Sequence, residues 1–235
     1  MTRSLMAALG TSEGIGPGTG GTVQRVYEDL RRRIIDFDLP PDMTLDRNDL
    51  TEAYGISLTP LREALQKLHV EGLVRIYPQS RTVVTRIDIP QIYEAHFLRM
   101  ALECEVVRNL ALSPDPALIT RARSIIRMQE AVAEDSAQIL MFQELDEVFH
   151  DTLFSGLGRS ALHRLMRERS GHLERARRLH NAQGRVKPII AGHLRVIDAI
   201  EAGDSDGAVR AMRDHLGGTI SHIENLRGQY PDYFA

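Results

Sequence analysis

Hydrophobic positions recur every three to four residues along most of the chain, and the places where that period fails divide it into two parts. Val23 to Ile35 sets Val26, Leu30 and Ile34 on one stripe and predicts a helix, which Asp38–Met43 (D-L-P-P-D-M) breaks. A short helical stretch follows from Asn48 to Tyr54 and stops at Gly55. The run Ile56 to Val74, I-S-L-T-P-L-R-E-A-L-Q-K-L-H-V-E-G-L-V, then reads as a tight turn feeding a second amphipathic helix. Leu61, Leu65, Leu68 and Val70 are expected inward, with Arg62, Lys67 and His69 on or near the outer surface. Leu73–Ile76 and Thr82–Ile87 switch to alternating or β-branched residues around Pro78-Gln79-Ser80-Arg81, which predicts a small hairpin. Two helices meeting at a tight turn, the second carrying cations outward, with a hairpin behind them, form the layout of a winged helix-turn-helix. That arrangement places side chains against base edges in a DNA major groove.

Ile87-Asp88-Ile89-Pro90 reads as a hinge, with Pro90 in a first helical turn. From there to Gly228 no strand pattern occurs, and helices are predicted at about 91–113, 116–134, 136–155, 160–180, 186–202 and 204–227. Short loops between consecutive helices imply an all-α antiparallel bundle of six to seven helices. The expected fold is therefore mainly α: a disordered tail over 1–20, a DNA-reading domain over 21–87, and a helical domain over 88–230.

Composition narrows the classes. A hydrophobic content of 43% supports a real core, whereas 5% aromatics and no Trp argue against a carbohydrate cleft or a stacking platform for single strands. The net charge of -3 excludes a wholly basic nucleic-acid binder, yet Arg31, Arg32, Arg33, Arg47, Arg62 and Arg81 all fall in the first ninety residues. The single cysteine, Cys104, rules out a disulfide within one chain and points to a reducing cytoplasm. No apolar run approaches the roughly 20 residues that span a bilayer, and the N-terminus lacks a signal peptide's apolar core.

Within the helix over 136–155, Asp146 and His150 interrupt the apolar stripe Phe142, Leu145, Phe149, Leu153, one turn apart. Burying a carboxylate and an imidazole without partners costs several kcal/mol, so each needs one. His193 interrupts Ile190–Ile197 and His215 interrupts Met212–Thr219 in the same way. Three imidazoles and a carboxylate inside a bundle suit a divalent metal (Zn²⁺, Ni²⁺ or Mn²⁺) with positions left open. By spacing alone a second reading stands beside it: each His is a hydrogen-bonded core residue, and Asp146 and His150 bond one another. His222, two turns on from His215, is a reserve candidate, while His96, His163, His172 and His180 show no grouping and are expected at the surface. Arg99 and Glu103, also one turn apart, read as an intrahelical ion pair, or as a fork turned inward for a carboxylate.

The segments Leu45–Leu50 (L-D-R-N-D-L), Tyr54–Val74 and Tyr77–Val84 (Y-P-Q-S-R-T-V-V) resemble the winged helix of GntR-type bacterial transcription regulators, over roughly residues 20–87. The helical remainder resembles the FCD ligand-binding domain of the FadR-type branch. Its carrying features are F-L-R-M-A-L-E around Arg99, D-E-V-F-H at Asp146–His150, H-L-R-V-I-D-A-I-E-A-G-D from His193, and M-R-D-H at His215. The resemblance implies that Asp146, His150, His193 and His215 bind a divalent metal, zinc first, which with Arg99 holds a small carboxylate effector. It also implies that Arg62 reads guanine in a palindromic operator, and that Arg47, Asn48, Ser57, Thr59 and Lys67 contribute to the DNA contact. The wing tip, Ser80 and Arg81, is expected in a minor groove. Two departures stand out: Leu58 replaces an arginine usual before the Thr-Pro step, and Arg81 stands where the wing usually has glycine. The expectation is a homodimeric, cytoplasmic DNA-binding repressor released by a carboxylate. A metal sensor and, further off, a metalloenzyme are the alternatives.

Overall fold

The computed structural model describes residues 19–78, 81–181 and 186–235. Most of the expected N-terminal tail, and Ser80 of the wing, lie outside them. The described residues form two compact units, one running up to Ile89 together with Arg227–Ala235, and the other within Pro90–Leu226.

In the first unit, α1 (Thr19–Ile35) presents Val26, Leu30 and Ile34, all fully buried, to α2 (Arg47–Tyr54) and α3 (Leu58–Val70). The Asp46 side chain caps α2 by accepting from the Asn48 and Asp49 amides, at 2.8 and 3.2 Å. Gly55 closes α2 at φ 61°, a left-handed position that glycine takes without strain, and so makes the tight turn into α3. Leu61, Leu65 and Leu68 are buried as expected, but Val70 is 61% exposed. It lies two residues past Leu68, about 200° around the helix from the inward stripe. The hairpin forms from β2 (Val74–Ile76) and β3 (Thr82–Val84). A further strand, β1 (Thr44–Leu45), pairs antiparallel with β3 in the order β1-β3-β2. At two residues it is too short to carry a period.

Part of the basic run of α1 serves the fold. Arg31 pairs with Glu71 at 2.9 Å with both side chains buried, and the Tyr27 hydroxyl donates to the same carboxylate. Arg32 and Arg33 grip Asp29 at 2.6 and 2.7 Å, where the Tyr54 hydroxyl also donates. The last residues of the chain return to this unit. Ile87 donates to the Tyr233 carbonyl at 2.7 Å and accepts from the Ala235 amide at 3.0 Å, Phe234 is buried, and Tyr233 meets the Phe37 ring edge-on at 4.9 Å.

The second unit is helical among its described residues: α4 (Ile89–Leu112), α5 (Pro116–Val132), α6 (Ile139–Gly156), α7 (Ser160–Glu168), α8 (Gly171–Asn181), α9 (Lys187–Glu201) and α10 (Ser205–Ile220), with α11 (Ile223–Gln229) leading out of it. Two of the predicted helices are divided. The segment over 160–180 breaks at Arg169–Ser170, where the Ser170 hydroxyl bonds back to the Met166 carbonyl ahead of Gly171. The segment over 204–227 breaks at Ser221–His222, after Gly217 and Gly218, with the Ser221 hydroxyl again turned onto the Gly218 carbonyl. Phe142, Phe149, Leu153, Val196, Ile197 and Met212 lie in the core, which brings α6, α9 and α10 together. Among the described residues no helix is long and apolar enough to cross a membrane.

Candidate metal centre and nucleic-acid interface

The four polar residues that break the bundle's apolar stripes converge. Asp146 and His150, one turn apart on α6, are held inward by Phe142, Phe149 and Leu153. His193 enters from α9, its ring stacked 3.9 Å from Phe149, and His215 from α10. One ligand atom from each lies within 4.8 Å of all the others. Asp146 and His150 do not bond one another, for His150 Nε2 stays 4.0 Å from Asp146 Oδ2.

The imidazoles are turned by partners outside the cluster. His150 Nδ1 faces Glu103 Oε2 at 2.5 Å, and His193 Nδ1 faces Gln129 Oε1 at 2.9 Å. An Nδ1–H donated by His193 to Gln129 leaves its Nε2 as a lone pair facing the cluster. His150 Nε2 and His215 Nε2 approach to 3.3 Å, and His193 Nε2 comes to 3.4 Å from Asp146 Oδ1. Gly192 supplies the room for His215, since a Cβ there would fall 2.7 Å from the His215 Nδ1 atom.

Electrostatics suit a cation. Burial holds His193 down to about 3, against a smaller upward pull from Asp146, and it holds His215 well below its ordinary value. Both imidazoles are neutral near neutral pH. Burial would raise Asp146, but Arg177 and the imidazoles outweigh it and keep the carboxyl well below the usual range. For Glu103 burial is likewise overcome by Arg99 and His150. Asp146 Oδ1 and His193 Nε2 are buried without a hydrogen-bond partner. Orphaned acceptors cost about 1–3 kcal/mol each, and two facing one another are what a cation satisfies. The donor set, three neutral nitrogens and one anionic oxygen, fits a divalent ion of the zinc, nickel or manganese kind.

Arg99 is buried and donates from Nε to Glu103 Oε1 at 2.6 Å, while its Nη2 stands 3.3 Å from His150 Nε2. The intrahelical ion pair therefore forms, and the guanidinium is buried beside His150. Residues that sequence reasoning missed complete the site: Gln129, Gly192, and Arg177 on α8, which donates to Asp146 Oδ2. Arg177 lies in H-L-E-R-A-R-R-L-H, which reads as a polar surface face. Glu103 was legible only as the partner of Arg99. His163, His172 and His180 are buried rather than at the surface; His163 sits 3.2 Å from Asp151 and 3.6 Å from Glu147. His222 falls in the turn after α10 and packs near His180, outside the cluster.

In the other unit, Arg62 projects from the exposed face of α3, and Thr59 and Ser57 are exposed at its N-terminal end, where Ser57 makes no side-chain cap bond. Leu58 is 37% exposed between them. Arg47 opens α2 with its Nε buried and lacking a hydrogen-bond partner, and Asn48 beside it is exposed. Arg81 lies over the Tyr77 ring at 5.7 Å. Lys67 is occupied within the domain, donating to Gln24 at 2.9 Å and lying over the Tyr27 ring.

Comparison with known proteins agrees with both halves. Residues 22–84 match the model of bacterial regulatory proteins of the gntR family, and residues 91–218 match the FCD domain. A regulator of the helix-turn-helix type from an unstable DNA locus of Streptomyces ambofaciens is 34% identical, over 92% of each chain. The transcriptional repressor RspR of Escherichia coli is 27% identical, over 90% of this chain and 93% of its own. Among solved structures, Escherichia coli McbR/YncC superposes with a TM-score of 0.72 at 18% identity, covering 89% of this chain and 98% of its own. A GntR regulator from Rhodococcus sp. RHA1 gives 0.71 at 24% identity, over 87% and 98%.

Proposed function

The chain belongs to the GntR family of bacterial regulatory proteins, with an FCD domain behind its winged helix, and on that premise we propose an effector-controlled repressor. As a homodimer in the cytoplasm it binds a palindromic operator and lets go when a small carboxylate occupies the bundle. DNA-binding regulation is the family's work, and the relatives it matches are transcription regulators rather than enzymes. The observation that carries the finer reading is the pair of orphaned ligand atoms, Asp146 Oδ1 and His193 Nε2, in a cluster whose His150 lies against the Arg99 guanidinium.

On the DNA side Arg62 reads guanine from α3, a bidentate contact that discriminates by roughly 1–3 kcal/mol. Ser57, Thr59, Asn48 and Arg47 meet phosphates. Lys67 adds its charge from the position Gln24 gives it, and Ser80 with Arg81 takes the minor groove. On the bundle side Asp146, His150, His193 and His215 would hold a divalent ion, whose open positions supply a carboxylate-binding Lewis acid. Glu103 and Gln129 fix the imidazole tautomers, and Arg99 offers its fork to the effector. The buried guanidinium favours an organic anion over the metal itself as the signal.

The test of the DNA reading is a gel shift on operator fragments enriched from genomic DNA by the immobilised protein. The Arg62→Ala variant should lose roughly 5- to 150-fold in specific affinity while keeping its fold. Undiminished specific binding would remove Arg62 as the reader.

A further inference from the structure

We propose that Arg177 is a second anion anchor of the bundle site, and that the effector it selects is a short molecule with two acidic groups. The proposal rests on the carboxylate reading given above and sharpens it.

Arg177 on α8 is an unusual neighbour for a ligand set. Its guanidinium donates to Asp146 Oδ2 while Asp146 Oδ1 faces His193, so one carboxylate serves the cation fork on one side and the cluster on the other. The side chain keeps 17% of its surface exposed, toward a cleft whose wall also holds Arg99, His150, His163, Arg167 and Ser170. Two guanidinium groups thus border one cleft. Arg99 lies 3.3 Å from His150 Nε2 and Arg177 sits against Asp146 Oδ2, and those two atoms are 4.0 Å apart. A guanidinium carries five N–H donors in a planar fork, so holding Asp146 leaves Arg177 donors for a second carboxylate.

The charge count points the same way. Glu103 and Asp146 are matched by Arg99 and Arg177, and the imidazoles contribute ligand nitrogens rather than anions. A divalent ion on this set leaves two positive charges uncompensated in a largely buried place, which is costly. A monocarboxylate cancels one of them; a dicarboxylate cancels both, with one group beside Arg99 and the other on Arg177. The carboxylates at the cleft's rim supply part of the balance only: Glu147 acts on Arg177 but is shared with Arg167 at 3.4 Å, and Glu174 lies in the first turn of α8, where the helix N-terminus already favours it.

The experiment uses full-length, zinc-loaded protein titrated calorimetrically with succinate and with butyrate, which share a four-carbon chain and differ by one acid group. Wild type is expected to bind succinate at least ten-fold more tightly. Arg177→Gln should lose most of that advantage, weakening succinate at least ten-fold more than butyrate, and Arg177→Lys, which keeps the charge but not the fork, should lie between. If Arg177→Gln does not fold because Asp146 is left without its partner, the intermediate preference of Arg177→Lys carries the test. Equal affinities in wild type, or a variant that weakens both ligands equally, would overturn the proposal while leaving the carboxylate reading intact. Loss of zinc from both variants would assign Arg177 to Asp146 alone and overturn it too. A wild type that takes neither acid overturns this proposal and the carboxylate reading together.

Discussion

Gly192 stands beside His193 on α9 and lets the His215 ring close on the cluster, because a methyl group there would meet His215 Nδ1 at 2.7 Å. Gly192→Ala is therefore expected to push His215 off the centre. Metal affinity should fall by ten-fold or more, the range seen when a ligand's support is lost, while the far-ultraviolet spectrum stays helical. Unchanged zinc affinity would mean that His215 is no ligand. The buried imidazoles also set a pH dependence. His193 is held at about 3 and His215 well below its ordinary 6.5, so as pH falls past about 6.5 the unfolded chain takes up protons that the folded chain refuses. Stability should be greatest above that value and drop toward His193's own, by up to about 1.4 kcal/mol per pH unit for each group. Asp146 and Glu103, both depressed, add to the loss below about 4. Urea melts in chelator from pH 8 to 5 check this, and a flat midpoint would contradict it. The four cluster residues were legible in the sequence because a polar group in an apolar stripe is too costly to be idle. Gln129 and Arg177 were not, since each acts across a helix pair that no single stripe reveals. The buried His163, His172 and His180 were missed for the same reason: their surroundings come from other elements.

At the scale of elements, periodicity found most of the helices and the hairpin, and it failed at two breaks. The apolar period runs through Ser170 and Ser221 without pause, yet the helices end there, ahead of Gly171 and just after Gly217 and Gly218, a residue type that holds a helix poorly. β1 escaped because two residues have no period. The return of the C-terminal residues to the winged-helix unit is likewise silent in the sequence, for Y-P-D-Y-F-A contains one turn signal and no register. There Phe234 is buried and the backbone of Tyr233 and Ala235 brackets Ile87. Phe234→Ala should cost about 3 kcal/mol, and the Ile87 amide should exchange faster with solvent. Exchange at wild-type rate would show that this contact adds nothing to the unit.

At the scale of the whole molecule there are two compact units: one carries the exposed Arg62, and the other the cluster of Asp146, His150, His193 and His215 that could hold a metal. Coupling between effector and operator is a free energy shared by both ligands, so whatever the carboxylate does to operator affinity, the operator must do in equal measure to carboxylate affinity. A ligand with equal affinity for both states would shift nothing. The proposed control of DNA binding therefore depends on the bundle holding an ion, because without one Asp146 Oδ1 and His193 Nε2 stay buried without a partner. The most direct test is metal content, measured by mass spectrometry on protein dialysed against excess zinc and then against buffer. Wild type is expected to keep close to one ion per chain, and the His150→Ala/His193→Ala variant less than about a tenth of that, a loss of the size that removing ligands brings. Equal and negligible metal in the two proteins would contradict the account.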